Sequence, residues 1–244
     1  MVGVLAAGVV RPPCHAVLLN DRQIVTAAHC FVSRNGTETP LGAAFRSRDL
    51  VFIPNGGPRA LVAYDPLRQM PWKTFVDGRQ KRADDFAILE LATPAAPALA
   101  IDGYARVLGL GDRLFSPAYW LEAGAGDTLY ADRWDDLCRV AAATDKCFVH
   151  TCTTMPGISG APVFKIETNA AGDPTGPIFL AGIHNGAAKI SREEEGRACG
   201  PELTDPTAGS LQDFNVGVTA ARVCQSGSAD RQSGVCSAAA GSFN

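Results

Sequence analysis

Apolar residues along the chain fall in short runs punctuated by Gly, Pro and Asp, and no long stretch keeps a helical period. That punctuation predicts strands over residues 2–7, 15–19, 23–26, 50–53, 59–64, 86–91, 113–120, 128–131, 146–150, 162–166, 178–184 and 214–218. Residues 27–30 read as a short turn or helix closing a strand. Many short strands joined by such turns predict an all-β sandwich or barrel. Residues 92–111 are rich in Ala, Pro and Gly and read as a connector between two halves. Residues 191–210 read as a polar surface loop. The Ser/Gly/Ala-rich residues 225–244 read as a tail, except where Cys224 and Cys236 could close a small loop.

Composition narrows the class. With 244 residues, 46% hydrophobic and 19% charged, the chain is globular and long enough for a large core. A net charge of only −3, with no basic block, gives no support for nucleic-acid binding, and no apolar run reaches membrane-spanning length. Neither nucleic acid nor membrane is therefore an expected partner, and the chain is expected to be a monomer. Eight cysteines, at 14, 30, 138, 147, 152, 199, 224 and 236, show no repeated CxxC pair of the zinc-ribbon kind. Their even number fits disulfides in an oxidising compartment, secreted or periplasmic; free thiols in a cytosolic chain are the other reading. The apolar start lacks a basic leader region, and Arg11-Pro-Pro is a poor cleavage site, so residues 2–10 read as a buried strand and not a signal peptide. An export signal, or a first strand, would then lie upstream, or Met1 is not the natural start.

Three residues could share a chemistry. Ser159 stands between Gly157 and Gly160, in a turn where a hydroxyl can point outward while backbone N–H groups converge on one point. A plain strand-connecting turn is the competing reading. His29 follows an apolar strand in Thr-Ala-Ala-His-Cys, and Asp85 stands at the mouth of another in Asp-Asp-Phe-Ala-Ile-Leu. Asp84 competes with Asp85 for any role; the Phe-Ala-Ile-Leu register favours Asp85. A serine hydroxyl becomes a nucleophile when an imidazole takes its proton and a carboxylate orients that ring. The order Ser, Asp, His of the α/β-hydrolases is not the order here, and Ala161 stands where their second motif glycine belongs.

The stretch from Cys14 to Cys30 resembles the segment around the catalytic histidine of chymotrypsin-fold serine proteases. Asp85-Phe-Ala-Ile-Leu and Gly157-Ile-Ser-Gly-Ala-Pro are similar to that family's aspartate and serine motifs. The resemblance runs over residues 2–223. It implies two six-stranded antiparallel β-barrels, with a first barrel over 1–91 carrying His29 and Asp85, and a second over 112–224 carrying Ser159. It also implies a Cys14–Cys30 disulfide, an oxyanion hole from the amides of Gly157 and Ser159, peptide hydrolysis through an acyl-enzyme, and no cofactor. Trypsins carry an aspartate before the serine that pairs with a freed N-terminal amine. Ile158 cannot form that ion pair, so the oxyanion hole would be set by other packing.

Within the family, His150-Thr-Cys-Thr-Thr, Gly-Ile-Ser-Gly-Ala-Pro-Val and Gly182-Ile-His-Asn-Gly186 resemble the bacterial glutamyl endopeptidase branch. That likeness implies that His184 and Thr154 contact an acidic side chain before the cut; a histidine that merely supports its strand is the other reading of His184. Asn185, Gly186 and Ala187 would offer backbone groups to an extended substrate. His150 reads as support for the second barrel. Position pairs Cys138 with Cys152, proximity pairs Cys224 with Cys236, and elimination leaves Cys147 with Cys199. An inactive binding protein on the same fold and an esterase with the same three residues are the rival functions.

Overall fold

The computed structural model describes residues 2–6, 14–33, 35–55, 59–64, 70–78, 81–95, 101–117, 119–121, 129–131, 138–154, 157–169, 174–189, 213–226, 229 and 234–237. Its first sheet explains why the N-terminal strands read as unbroken apolar runs. β1 (Val2–Ala6), β2 (Cys14–Leu18), β3 (Gln23–Thr26), β4 (Val51–Pro54), β5 (Ala60–Leu61) and β6 (Ala87–Glu90) pair in the order β5-β4-β1-β2-β3-β6. Successive side chains of a strand point to opposite faces. Here Leu5, Ala16, Leu18, Ile24, Phe52, Ala87 and Leu89 fill the inside of this sheet. Their neighbours Val4, Val17, Leu19, Val25, Ile53 and Ile88 face a second apolar cluster shared with the other half of the chain. Both faces are dry, so alternation disappears from the sequence. The two edges meet at a Val62–Leu91 bridge, with Ala63 donating to the Glu90 carbonyl at 2.7 Å and Ala92 to the Leu61 carbonyl at 2.8 Å. The first barrel is thereby closed, and its six strands all lie within residues 2–90.

The second barrel uses β8 (Arg113–Phe115), β11 (Cys138–Ala143), β12 (Cys147–His150), β13 (Pro162–Thr168), β14 (Pro174–Lys189) and β15 (Asp213–Thr219). They run in the order β13-β8-β11-β12-β15-β14, and a further β13–β14 pairing closes the ring. β7 (Gly103–Tyr104), from the stretch expected to be a plain connector, adds a parallel strand outside β14. Phe164, Ile166, Leu180, Ile183 and Val218 from this barrel complete the apolar cluster facing the first one. The architecture is the expected pair of six-stranded barrels.

Local departures from expectation have local causes. The strand expected over 113–120 stops at Phe115, where Ser-Pro follows and proline has no N–H to offer a ladder. It resumes as β9 (Tyr119–Leu121), which among the described residues pairs with β10 (Leu129–Ala131) in a separate two-stranded sheet. β11 is read from Cys-Arg-Val-Ala-Ala-Ala, whose alanines carry little β preference; pairing with β8 and β12 overrides it. Helix α1 (Pro40–Ser47) has Thr39 as N-cap, its side chain accepting from the Gly42 N–H, and proline in its first turn. Helix α2 (Lys73–Asp77) is a single short segment, and helix α3 (Ala220–Gln225), capped by Thr219, follows β15. The expected tail is partly anchored: the Cys224–Cys236 disulfide ties residues 234–237 to α3, and Val235 donates to the Leu19 carbonyl at 2.7 Å.

Disulfides also join Cys14 to Cys30 and Cys138 to Cys152. Cys147 is disulfide-bonded, and Cys199, its expected partner, lies outside the described residues. No helix among the described residues is long and apolar enough to cross a membrane.

The first barrel is plugged by aromatic rings. Phe31, fully buried, stacks on Trp72 at 4.8 Å and meets Phe45 of α1 edge-on at 6.3 Å. Phe31→Ala is expected to cost about 3–5 kcal/mol in urea unfolding, since it removes a buried ring that α1 and Trp72 cannot collapse to replace.

Candidate active site

β3 ends at Thr26, whose buried hydroxyl donates to the His15 carbonyl at 2.6 Å. The chain then turns through Ala28–Cys30, a single 3₁₀ turn that presents His29. Cys30 is held back to β2 by its disulfide with Cys14. A second 3₁₀ turn, Arg82–Asp84, delivers Asp85 just ahead of β6, with only 4% of its surface exposed. Asp85 Oδ1 accepts the His29 backbone N–H at 2.9 Å, and Oδ2 accepts the ring Nδ1–H at 2.8 Å. Because a carboxylate only accepts, the imidazole proton sits on Nδ1. Nε2 therefore carries a lone pair, and the Ser159 hydroxyl 2.8 Å away donates to it.

Asp84 does a different job. Its Oδ1 takes a 2.6 Å ion pair from Arg222 Nη2 on α3, and the Arg222 guanidinium lies 6.0 Å from the centre of the Phe86 ring. Adjacent carboxylates thus face opposite ways: Asp85 toward His29, Asp84 toward the second barrel. Arg222 carries no motif of its own, and the sequence offered no signal for it.

The serine turn is held from both barrels. Ser159 accepts the His15 backbone N–H at 2.7 Å, Gly160 donates to the His184 carbonyl at 2.8 Å, and His184 donates to the Ala161 carbonyl at 2.8 Å. Gly160 has φ +82°, and a Cβ there would run into the His15 carbonyl and the Thr26 hydroxyl. Only glycine fits so close to β2. Ile158 is buried, with 2% of its surface exposed. Gly157 has φ +100°, and its carbonyl accepts from His15 Nδ1 at 3.0 Å. Among the described residues no acceptor pairs with the amide N–H of Gly157 or of Ser159.

The expected pocket residues occupy mixed positions. Thr154 donates its hydroxyl to Asn215 Oδ1 at 2.6 Å, and Asn215 Nδ2 donates to the Cys152 carbonyl at 2.7 Å. A carboxylate offers only acceptors, so Thr154 could serve one only by leaving Asn215. The Asn185 side chain turns into the barrel interface, its amide donating to the Arg82 carbonyl at 3.1 Å. Gly186 and Ala187 pair with Val216 and Asn215 of β15, while the pairing of β13 with β14 reaches only Pro162–Ile183. Beyond His184, β14 therefore keeps one edge that β13 does not cover.

His184 and His150 form a buried pair, with His184 Nδ1 and His150 Nε2 3.3 Å apart. Among the described residues, His150 Nδ1 has no hydrogen-bond partner. A buried N–H left unpaired costs more than an unpaired lone pair, so the shared proton sits on His150 Nε2 and is donated to His184. His184 then carries its own proton on Nε2. Burial, followed by the nearby His29 and His15 rings, pushes the His184 pKa from 6.5 down to about 3. Burial and the neighbouring His184 ring likewise push His150 well below its ordinary value. Both rings are neutral at neutral pH.

A histidine held neutral in the native state charges on unfolding. As pH falls from about 6.5 the unfolded chain takes up protons that the native state excludes, so stability is lost down to about 3 for His184. The slope is about 1.4 kcal/mol per pH unit for each such group. His184→Gln is expected to flatten the fall in urea midpoint between pH 6 and pH 4, and to leave the profile above pH 7 parallel to that of the parent.

A family model for the trypsin-like peptidase domain matches residues 14–172, well over half of the chain. No curated protein matches the sequence. Among solved structures, a Glu endopeptidase in complex with MPD superposes with a TM-score of 0.52 at 14% identity, covering 91% of this chain and 86% of its own. Kallikrein-related peptidase 10, in a complex with Zn2+, gives 0.47 at 16% identity, covering 89% and 88%. The chain has the chymotrypsin-type fold and belongs to the trypsin-like peptidase family.

Proposed function

We propose that the protein is a serine endopeptidase that hydrolyses peptide bonds through an acyl-enzyme, with one barrel within residues 1–91 and the other within 112–224. The observation that carries this reading is the unbroken chain Asp85–His29–Ser159, with 2.8 Å at each side-chain step, spanning the two barrels. In this mechanism Ser159 Oγ attacks the carbonyl carbon as His29 Nε2 takes its proton. The oxyanion is held by the amides of Gly157 and Ser159. His29, charged and steadied by Asp85, then protonates the leaving amine, and water repeats the attack on the acyl-serine with His29 again as base. The disulfides suit an oxidising, extracellular or periplasmic setting.

For specificity we infer a preference for glutamate before the cut. The reading rests on His184: its Nε2 proton makes it a neutral donor to a carboxylate, while His150 holds the other side of the ring. The edge of β14 beyond His184 would pair with the extended substrate.

Ser159→Ala is expected to abolish peptide turnover and labelling by a fluorophosphonate, with circular dichroism and melting unchanged. Turnover at the parent rate in that variant would remove Ser159 from the mechanism. Comparison of matched peptide and ester substrates separates an endopeptidase from an esterase. On a substrate library Glu is expected to exceed Ala and Lys at the residue before the cut by at least about 10-fold in kcat/KM, a gain of about 1.4 kcal/mol. His184→Ala should erase that margin; a profile led by Lys, Arg or large apolar residues would overturn the acidic preference.

A further inference from the structure

We propose that His15 is a positioning residue for the oxyanion hole: its ring fixes the Gly157 carbonyl and so limits how far the Gly157 amide can turn from the reacting oxygen. The inference rests on the serine-peptidase reading and adds to it a residue outside the three.

Gly157 is the weak point of the serine turn. With φ +100° and no side chain, it can rotate where any other residue would be confined. The backbone bonds that hold the turn begin after it. The Ile158 carbonyl accepts from Ala161, the Ser159 carbonyl accepts from His15, and the Gly160 amide donates to His184. Ile158 is buried and apolar and brings no charge to anchor the loop. Among the described residues, the hydrogen bond that holds Gly157 itself is the 3.0 Å contact from His15 Nδ1 to its carbonyl. The Gly157 carbonyl and amide belong to adjacent peptide planes hinged at one Cα, so fixing the carbonyl anchors that Cα and leaves φ of Gly157 as the local hinge through which the amide can still turn.

His15 is built to supply that restraint. It is 2% exposed, lies on β2 next to the disulfide-bonded Cys14, and pairs across the sheet with Val4. Its backbone N–H reaches Ser159, and its carbonyl accepts the Thr26 hydroxyl. A carbonyl only accepts, so Nδ1 is the donor. The first barrel thus reaches across to the turn with a rigid ring, and the hole is set by a contact inside the folded chain.

The test compares two replacements of equal shape. Asn places an amide N–H near the position of Nδ1, and Leu places a methyl there. The parent is first shown to label with a fluorophosphonate and to cleave peptide; inertness at this step overturns the peptidase reading and this inference with it. His15→Leu is then expected to lower kcat about 10- to 100-fold, less than the loss of an oxyanion donor itself. It should weaken inhibition by a peptide aldehyde, whose adduct places an oxyanion in the hole, by a similar factor. KM and binding of the same peptide as an unreactive amide should stay unchanged, and His15→Asn should recover most of the kcat. Equal kcat in the Leu and Asn variants, or parallel loss of aldehyde and amide binding, would overturn the proposal. Should His15→Leu not fold, His15→Gly with and without added imidazole takes its place, and failure of imidazole to restore kcat has the same meaning.

Discussion

The meeting of Ser159 with His29 hangs on one apolar seam. Val4, Val17, Leu19, Val25, Ile53 and Ile88 of the first barrel meet Phe115, Phe164, Ile166, Leu180, Ile183 and Val218 of the second in a single buried cluster. Ser159 and His29 belong to different barrels, so their 2.8 Å separation depends on how the barrels seat. Close-packed interiors resist sliding because a shift of even part of a side chain opens voids or forces overlap. A non-directional force thus fixes a distance that hydrogen bonding alone would leave loose.

Directional contacts refine what the seam begins. The Arg222–Asp84 ion pair, the Asn185 amide on the Arg82 carbonyl, and the His15 N–H on the Ser159 carbonyl all cross between the barrels. Two of them grip the 3₁₀ turn that delivers Asp85, and the third grips the turn that delivers Ser159. Asp85 itself is tied twice to His29, through backbone and ring, which leaves the imidazole a single orientation. Val235, drawn onto Leu19 by the segment that the Cys224–Cys236 disulfide closes, adds a strap from the C-terminal side.

All four histidines of the chain gather around this region, each with a different environment. His29 keeps access to solvent, with 26% of its side chain exposed. His15, His150 and His184 are buried. Burial keeps His150 and His184 neutral, so they act as directional donors and acceptors and not as charges. A charged ring beside His29 would disfavour a positive charge on the His29 imidazole.

Strand content, the paired barrels and the motifs that hold His29, Asp85 and Ser159 were legible in the sequence because each leaves a local mark. An apolar run between turns reads as a strand, and His29, Asp85 and Ser159 each sit in a short motif at a strand end. Elements whose marks are weak escaped: β11 in its alanines, the brief α1, and β7 inside a stretch that composition alone makes a linker. Long-range partners left no mark at all. Nothing near His15 in the chain points to Gly157, 142 residues away, and nothing near Arg222 points to Asp84, 138 residues away. The local sequence determined which groups could do chemistry. The tertiary structure decided which of them meet, because their separation is set by packing between two barrels and not by any spacing along the chain.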